Sequence, residues 1–290
     1  MLAHVKFGCQ LPLEAGDFEQ VIEVAKQCEE LGYDSVWAYD HLSPFWTRSG
    51  RVLECWTVLA AVAARTSRIR IGSLVTNVNV RSPSLLAKMS STIDNISGGR
   101  LIVGLGTGDR LSRDELLSYG YNFASTDERV ERLKESILIL KAMWTEEEPR
   151  FEGKYYRISK AINSPKPRQK PHPPIWIGGK HFKILDLVAE MAEGWNYWNV
   201  SKEELAHRSN YLSKKCAEIG RNSNHIVKSW SGTVSHLFRD VRNRDKKTES
   251  IVAELRSQSD DETEYFIAHL GPRAEAETYR LFADAVGRLE

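Results

Sequence analysis

The 290-residue chain has almost no net charge and no long run of charge of one sign. Its 40 basic and 39 acidic side chains give a formal net charge of +1, and they are scattered along the sequence. Proteins that bind nucleic acid or anionic lipid usually display a basic patch or tract. The charge balance therefore argues against nucleic acid or a membrane surface as a partner. It favours a small ligand that is uncharged or modestly charged.

Cysteine is scarce, and long apolar runs are absent. Cys9, Cys28, Cys55 and Cys216 show no C-x-x-C spacing, so they predict neither a disulfide framework nor a zinc site, and a reducing cytosol suits them. Nowhere do about 18 apolar residues follow one another, and the N-terminus lacks a basic segment leading into a long apolar one. We therefore expect a cytoplasmic protein without a membrane span.

Two groups of catalytic motif are also missing. The histidines show no H-x-H or H-E-x-x-H spacing, so no protein-bound metal is expected. No G-x-S-x-G occurs, which removes the usual local signature of a serine nucleophile.

What the sequence does contain is a regular alternation of apolar, strand-length runs with segments of helical period. The eight runs cover residues 4–11, 34–39, 68–76, 100–106, 174–178, 194–200, 227–238 and 263–270. Nearly continuous apolar strands are typical of a parallel sheet buried on both faces, and eight repeats in this length fit a closed barrel. We predict a (β/α)8 TIM barrel in one domain, 1–290, with residues 151–171 as an insertion between helix 4 and strand 5.

In such a barrel the active site lies where the strands end at their carboxyl termini. Asp40 and His41 directly follow the second predicted strand. Neighbouring side chains point in different directions, so Asp40 cannot simply orient His41. We expect Asp40 to accept hydrogen bonds from a ligand and His41 to exchange a proton near neutral pH. The alternative is a capping aspartate beside a loop histidine.

A glycine-rich turn, GLGTGD, follows the fourth predicted strand. Its spacing does not match the dinucleotide fingerprint, since no third glycine opens a helix. Gly106 and Gly108 would let the backbone approach a flat ligand closely, with the Thr107 hydroxyl and the Asp109 carboxylate at the rim. A tight turn that requires positive φ is the alternative.

A second pair of glycines lies between the fifth strand and its helix. Gly178 and Gly179 leave backbone N–H groups and the positive end of a helix dipole facing outward, as an anion or phosphate site requires. Lys180 adds a positive charge. A plain glycine turn is again the alternative.

Four correctly spaced blocks carry a family resemblance. They are GYDSVWAYDHL, TSRIRIGSLVTNVNVRSP, LAKMSSTIDNISGGRLIVGLGTGD, and KPRQKPHPPIWIGGK followed by AEGWN. Together they resemble the bacterial luciferase-like superfamily of flavin and deazaflavin oxidoreductases over about residues 5–200. An acidic residue directly after the glycine turn resembles the branch that depends on coenzyme F420.

The resemblance implies roles for individual residues. Asp40 and Thr76 would contact the deazaflavin, Thr107 and Gly108 would lie along it, and Gly178 and Gly179 would hold its phosphate. A non-proline cis peptide near Ser73–Leu74 would press a bulge against the ring. His41 and Asp109 would be the acid/base groups, and Trp46 would cover the substrate.

The function expected is hydride transfer between coenzyme F420 and a small organic substrate. An FMN-dependent monooxygenase is the alternative on the same fold, and a non-catalytic flavin-binding protein is the alternative of another class. Asp109 replaces the glutamate of the glucose-6-phosphate branch, and no cluster of Lys or Arg marks a sugar-phosphate site.

The resemblance also implies a homodimer, for which helices 2 and 3 offer a face with Trp56, Leu59, Leu85 and Leu86. It further implies that the βα loops and the insertion shape the substrate pocket.

Overall fold

Eight parallel strands close into a barrel in the computed structural model, which describes residues 5–14, 17–45, 50–238, 244–260, 262–271 and 274–289. In chain order the strands of the described residues are β1 (Lys6–Gln10), β2 (Ser35–Ala38), β3 (Arg70–Ser73), β4 (Thr76–Asn77), β5 (Leu101–Gly106), β6 (Arg150–Glu152), β7 (Arg157–Ser159), β8 (Ile175–Gly178), β9 (Gly194–Tyr197), β10 (Val227–Thr233) and β11 (Tyr265–His269). The barrel closes where β3 pairs with β5, with Ile71 opposite Leu101. The predicted (β/α)8 barrel is confirmed.

The helices pack around the outside of the barrel. They are α1 (Phe18–Glu30), α2 (Cys55–Arg65), α3 (Pro83–Ile96), α4 (Arg113–Ser118), α5 (Thr126–Thr145), α6 (Phe182–Met191), α7 (Lys202–Glu218), α8 (Arg244–Ser257) and α9 (Ala276–Gly287). The sequence predicts a single helix after the fourth barrel strand, whereas the structure has two, α4 and α5. Among the described residues, no helix is both long enough and apolar enough to cross a bilayer.

Burial on both faces explains why the strands are nearly all apolar. Every residue of β5 is buried. Inside the barrel a small cluster forms around Trp37 and Trp176, whose ring centroids lie 4.9 Å apart. A larger core fills the space between the strands and the helices. Since removal of apolar surface from water is the main favourable term in folding, these two layers hold the barrel closed.

The insertion between α5 and β8 lies on the outside of the barrel. Strands β6 and β7 form an antiparallel hairpin, and the Glu135 carboxylate on α5 accepts hydrogen bonds from the backbone of the hairpin turn, including Tyr156 N at 3.0 Å. Further along, Asn163 Nδ2 donates to Ser91 Oγ at 2.7 Å, and Gln169 N donates to the Asp94 carboxylate at 2.9 Å. The insertion is thus fastened to α3 and α5.

The face predicted for dimerisation is largely interior. Trp56, Leu59 and Leu86 are buried in the core, and Leu85 alone of the four is exposed, at 53%. The helical period of α2 and α3 places these apolar side chains against the barrel, so the proposed contact face is wrong.

Candidate active site

A cavity of about 780 Å³ opens at the carboxyl ends of the barrel strands. Ten of the residues predicted for the site line it, namely Asp40, His41, Leu74, Gly106, Thr107, Gly108, Asp109, Gly178, Gly179 and Lys180. Ser73 and Thr76 do not line it, and Trp46 lies outside the described residues. The predicted groups from four different strand ends therefore meet in one cavity.

The chain leaves the barrel wall between β3 and β4 and forms a bulge at Leu74 and Val75, both of which line the cavity. The peptide bond between these two residues is cis. The family resemblance implies such a bond near Ser73–Leu74, and the structure has it one residue further along. The apolar bulge is a floor on which a flat ring system can rest.

Glycines make room for this bulge. A Cβ added to Gly106 would lie 2.5 Å from Val75 Cγ2, and one added to Gly178 would lie 2.9 Å from Val75 Cγ1. A Cβ on Gly104 would overlap the Ser73 carbonyl oxygen. Carbon atoms normally pack no closer than about 3.5 Å. Gly104 and Gly106 thus allow β5 to pack closely against the bulge. For Gly106 this differs from the sequence prediction, in which the missing side chain lets the backbone approach a ligand.

Ser73 and Thr76 are fully buried and hydrogen-bond within the protein. The Ser73 hydroxyl donates to Gly104 O at 2.8 Å, and Trp56 Nε1 donates to Thr76 Oγ1 at 3.0 Å. Their side chains tie the barrel wall to its neighbours. The contact expected between Thr76 and a bound ring does not fit this orientation.

Asp40 is engaged in a buried ion pair. Arg81 donates to both of its carboxylate oxygens, at 2.5 and 2.8 Å, and Asn77 N donates at 3.0 Å. Arg81 also donates to Glu54 Oε1 at 2.7 Å, at the N-cap of α2. Such bidentate pairs fix geometry strongly. Asp40 therefore holds the strand end in place, because its carboxylate accepts three hydrogen bonds from Arg81 and Asn77 N.

His41 pairs with a carboxylate that the sequence gave no reason to suspect. Its Nδ1 lies 2.8 Å from Glu115 Oε2 on α4, and its ring stacks on Phe45 with 4.4 Å between centroids. Burial by itself raises the pKa of Glu115, but hydrogen bonds from His41 and from the backbone of Leu42 and Ser43 lower it below its ordinary value. The carboxylate is therefore ionised at neutral pH.

Asp109 sits at the rim of the cavity and shapes its own turn. Its Oδ1 accepts hydrogen bonds from Leu111 N at 2.9 Å and from Ser112 N and Oγ at 3.0 Å. Gly108 has φ +67°, a value that glycine adopts freely, so the turn reading of this glycine is correct. The turn brings an acidic group to the side of the cavity formed by the end of β5.

The phosphate-binding candidate lies at the start of α6. Gly178, Gly179 and Lys180 line the cavity, and Gly179 has φ +142°. Helix α6 begins at Phe182 with His181 as its N-cap, so the positive end of the helix dipole is at this end of the cavity. Lys180 Nζ donates to Asn199 O at 3.1 Å, which holds its charge beside the glycines.

Two further lining residues belong to strands that the resemblance did not cover. His269 lies at the end of β11, where burial lowers its pKa to about 4, so it is neutral at pH 7. Trp230 on β10 is almost fully buried. Neither has a sequence motif around it. No described residue of the insertion lines the cavity, so the implied role of the insertion in shaping the pocket is not supported.

Metal ligation finds no support in the described part of the chain. No group of three or more His, Cys, Asp or Glu side chains there is arranged to hold a metal ion.

A family model and several known proteins match this chain. The family model described as luciferase-like monooxygenase matches residues 1–286. The F420-dependent glucose-6-phosphate dehydrogenase of Microbacterium testaceum is 32% identical over 67% of this chain and 57% of its own length. The enzyme of the same name from Kineococcus radiotolerans is 34% identical over 66% of this chain and 56% of its own length. The chain thus matches little more than half the length of these relatives.

Solved structures agree in fold. An F420-dependent secondary alcohol dehydrogenase in complex with an F420–acetone adduct superposes with a TM-score of 0.86 at 16% identity, covering 99% of this chain and all of the other. A monooxygenase from Streptomyces bottropensis gives a TM-score of 0.77 at 22% identity, with 98% and 99% covered. At these identities the likeness concerns the fold alone. The match of the family model along nearly the whole chain confirms the resemblance, and the chain belongs to the luciferase-like monooxygenase family.

Proposed function

We propose that the protein is an oxidoreductase that transfers a hydride between coenzyme F420 and a small organic alcohol or carbonyl compound. One observation carries this proposal: the cavity joins a carboxylate-bound histidine, His41, to an apolar floor at Leu74–Val75. Relatives at 32–34% identity are named as F420-dependent dehydrogenases, which supports the choice of cofactor within the family.

The residues present fit the cofactor. A tricyclic ring needs a flat apolar support, and the bulge over Gly106 and Gly178 supplies one, because any side chain at either glycine would displace Val75. A phosphate needs backbone N–H groups and positive charge, which Gly179, Lys180 and the start of α6 supply. When bound, the deazaflavin would accept or donate the hydride, while the protein contributes positioning and proton transfer.

Proton transfer falls to the chain's own side chains. Removing a hydride from an alcohol carbon requires that its hydroxyl proton also leave, and His41 lines the cavity with Nδ1 bound to Glu115. His41 takes this proton in the oxidation and returns it in the reduction. Asp109, which follows β5, is its partner or the group that protonates the cofactor. Acid–base help of this kind contributes roughly 10²- to 10⁴-fold in rate.

Cofactor titration tests the proposal against its main alternative. Purified protein is titrated with coenzyme F420 and with FMN, following fluorescence, and is then mixed with a panel of alcohols. Tighter binding of the deazaflavin and its reduction by an alcohol are expected. A clear preference for FMN, with oxygen consumption, would assign the protein to the monooxygenases. Binding without any reaction would indicate a flavin-binding protein.

Two variants test the roles of His41 and Asp109. His41→Ala and Asp109→Asn should each keep the cofactor dissociation constant within about tenfold, roughly 1.4 kcal/mol, because neither lies at the phosphate end. Each should slow single-turnover hydride transfer by at least about 10²-fold. Parent-like rates in both variants would reject the acid–base assignment.

We propose an unphosphorylated substrate, because Lys180 is the only Lys or Arg among the described residues that line the cavity. Preference for glucose 6-phosphate over unphosphorylated alcohols would contradict this.

We also propose a cytoplasmic homodimer. The four cysteines are buried and free, which suits a reducing compartment. A sedimentation mass equal to one chain would exclude the dimer.

A further inference from the structure

The contact between His41 and Glu115 determines more than the position of the imidazole ring. An ionised carboxylate has no proton to give, so it acts only as a hydrogen-bond acceptor. Glu115 Oε2 lies 2.8 Å from His41 Nδ1, with side-chain exposures of 11% and 20%. His41 Nδ1 must therefore carry the proton. In a neutral imidazole this leaves Nε2 as the nitrogen with a free electron pair.

The other oxygen of Glu115 holds the backbone next to His41. Glu115 Oε1 accepts hydrogen bonds from Leu42 N and from Ser43 N, the latter at 3.0 Å. Directly after α4, the hydroxyl of its C-cap residue Tyr119 donates to Leu42 O at 2.7 Å. Three successive residues after β2 are thus tied to one short helix. The ring of Phe45 stacks on His41 and restrains its tilt.

We propose that Glu115 is a positioning residue that keeps the His41 proton on Nδ1 and thereby leaves Nε2 as the proton acceptor on the cavity side. This inference rests on the proposed function only for the identity of the proton donor, the hydroxyl of the substrate. The O–H bond of the substrate breaks and its proton bonds to Nε2, while the C–O bond becomes a carbonyl. A bound deazaflavin would accept the hydride released when the C–H bond of the alcohol carbon breaks. Glu115 itself stays ionised throughout.

The variant Glu115→Gln makes the proposal testable because it changes charge and donor pattern but hardly changes shape. The amide of Gln has one oxygen and one NH2 group. Leu42 N and Ser43 N are two donors that both require the oxygen, so the NH2 group turns toward His41. His41 Nδ1 must then accept a hydrogen bond, and its proton moves to Nε2. The variant should contain His41 in the opposite tautomer, which cannot take a proton at Nε2.

The readout is the pair of ring ¹⁵N chemical shifts of His41 in the cofactor-free protein at mildly alkaline pH. Protonated and unprotonated ring nitrogens resonate in separate ranges, and the His41→Ala spectrum identifies the signals. We expect a protonated Nδ1 in the parent and a protonated Nε2 in Glu115→Gln. Single-turnover hydride transfer should fall on the order of 10²-fold or more, as expected for a wrong tautomer or a lost supporting hydrogen bond. The dissociation constant of coenzyme F420 should stay within about threefold, roughly 0.7 kcal/mol.

The matched control is Asp114→Asn. Asp114 precedes Glu115 on α4 and undergoes the same change from acid to amide, but its side chain is 91% exposed and pairs with Arg113. Its spectrum and rate should equal those of the parent.

A protonated Nε2 in the parent, or an unchanged tautomer in Glu115→Gln, would overturn the proposal. The parent spectrum decides alone if the Gln variant does not fold. Failure of the parent to reduce coenzyme F420 with any alcohol would instead reject the proposed function, and the spectra would still decide the tautomer.

Discussion

The bulge at Leu74–Val75 should be sensitive to a single methyl group placed beneath it. In Gly106→Ala the new Cβ would lie 2.5 Å from Val75 Cγ2, so the two atoms must separate by about 1 Å to reach ordinary packing distance. Val75 also lines the cavity, and displacement away from Gly106 alters the floor on which the cofactor rests. The substitution therefore links barrel packing to cofactor binding.

The cost follows from known overpacking effects. Extra methyl groups in close-packed interiors destabilise by about 1–3 kcal/mol. At about 2.1 cal/mol/K per residue the unfolding entropy of this 290-residue chain is about 0.6 kcal/mol/K, so about 2 kcal/mol corresponds to a fall in Tm of roughly 3 °C. We expect such a fall in Gly106→Ala, together with at least about tenfold weaker binding of coenzyme F420, or roughly 1.4 kcal/mol.

A second substitution, Val75→Ala, should offset part of the destabilisation that Gly106→Ala causes. Val75→Ala deletes the Cγ2 methyl group that crowds position 106, so Gly106→Ala with Val75→Ala should be more stable than the sum of the single effects predicts. A coupling of about 1 kcal/mol is expected in the double-mutant cycle, measured by chemical unfolding and by fluorescence titration. Strict additivity, or a Gly106→Ala protein with parental Tm and affinity, would refute the reasoning. Gly287→Ala is the control, because a Cβ there meets nothing within 4 Å.

The remaining predictions concern stability and pH. Asp40→Asn should lower the free energy of unfolding by about 3 kcal/mol, because it leaves Arg81 with a weakened partner in a buried site. Glu54→Gln should lower it by only about 1 kcal/mol, because the Glu54 side chain is 37% exposed. Equal effects of the two substitutions in urea unfolding would contradict this. His269 has its pKa lowered to about 4, while an unfolded histidine titrates near 6.5. The unfolded chain therefore binds more protons between these values, and stability should fall by up to about 3 kcal/mol as pH drops from 6.5 to 4. In His269→Gln this part of the pH dependence should disappear, and an unchanged pH profile would show that another group is responsible.

The barrel could be predicted from sequence because burial on both faces leaves a direct trace. Each barrel strand must be apolar along most of its length, so β5 and β8 stand out as continuous runs. The strand ends then follow from where the apolar run stops, which is why Asp109 and Gly178 could be assigned to the mouth of the barrel.

The details that failed depend on contacts between distant residues. The run from Arg68 to Thr76 reads as one strand, and only the glycines on β5 and β8 show that it breaks into a bulge at Leu74. Helix α4 has six residues, too few to show a helical period, and Glu115 meets His41 across 74 positions of sequence. Asp40 looks like a ligand acceptor until Arg81, 41 residues later, is found beside it. No local pattern encodes these pairings.

The connection between β5 and α5 has a consequence for engineering. It carries Asp109 to the rim and, through α4, brings Glu115 to the loop after β2. A graft that exchanges this connection for that of another barrel would replace two carboxylates at once. One is Asp109 at the rim, and the other is Glu115, which pairs with His41 in the loop after β2. Recombination between homologues should therefore tolerate crossovers within the hairpin β6–β7, and it should fail when a crossover separates residues 41–43 from residues 109–119. The two segments are inherited as one unit although they are distant in the chain.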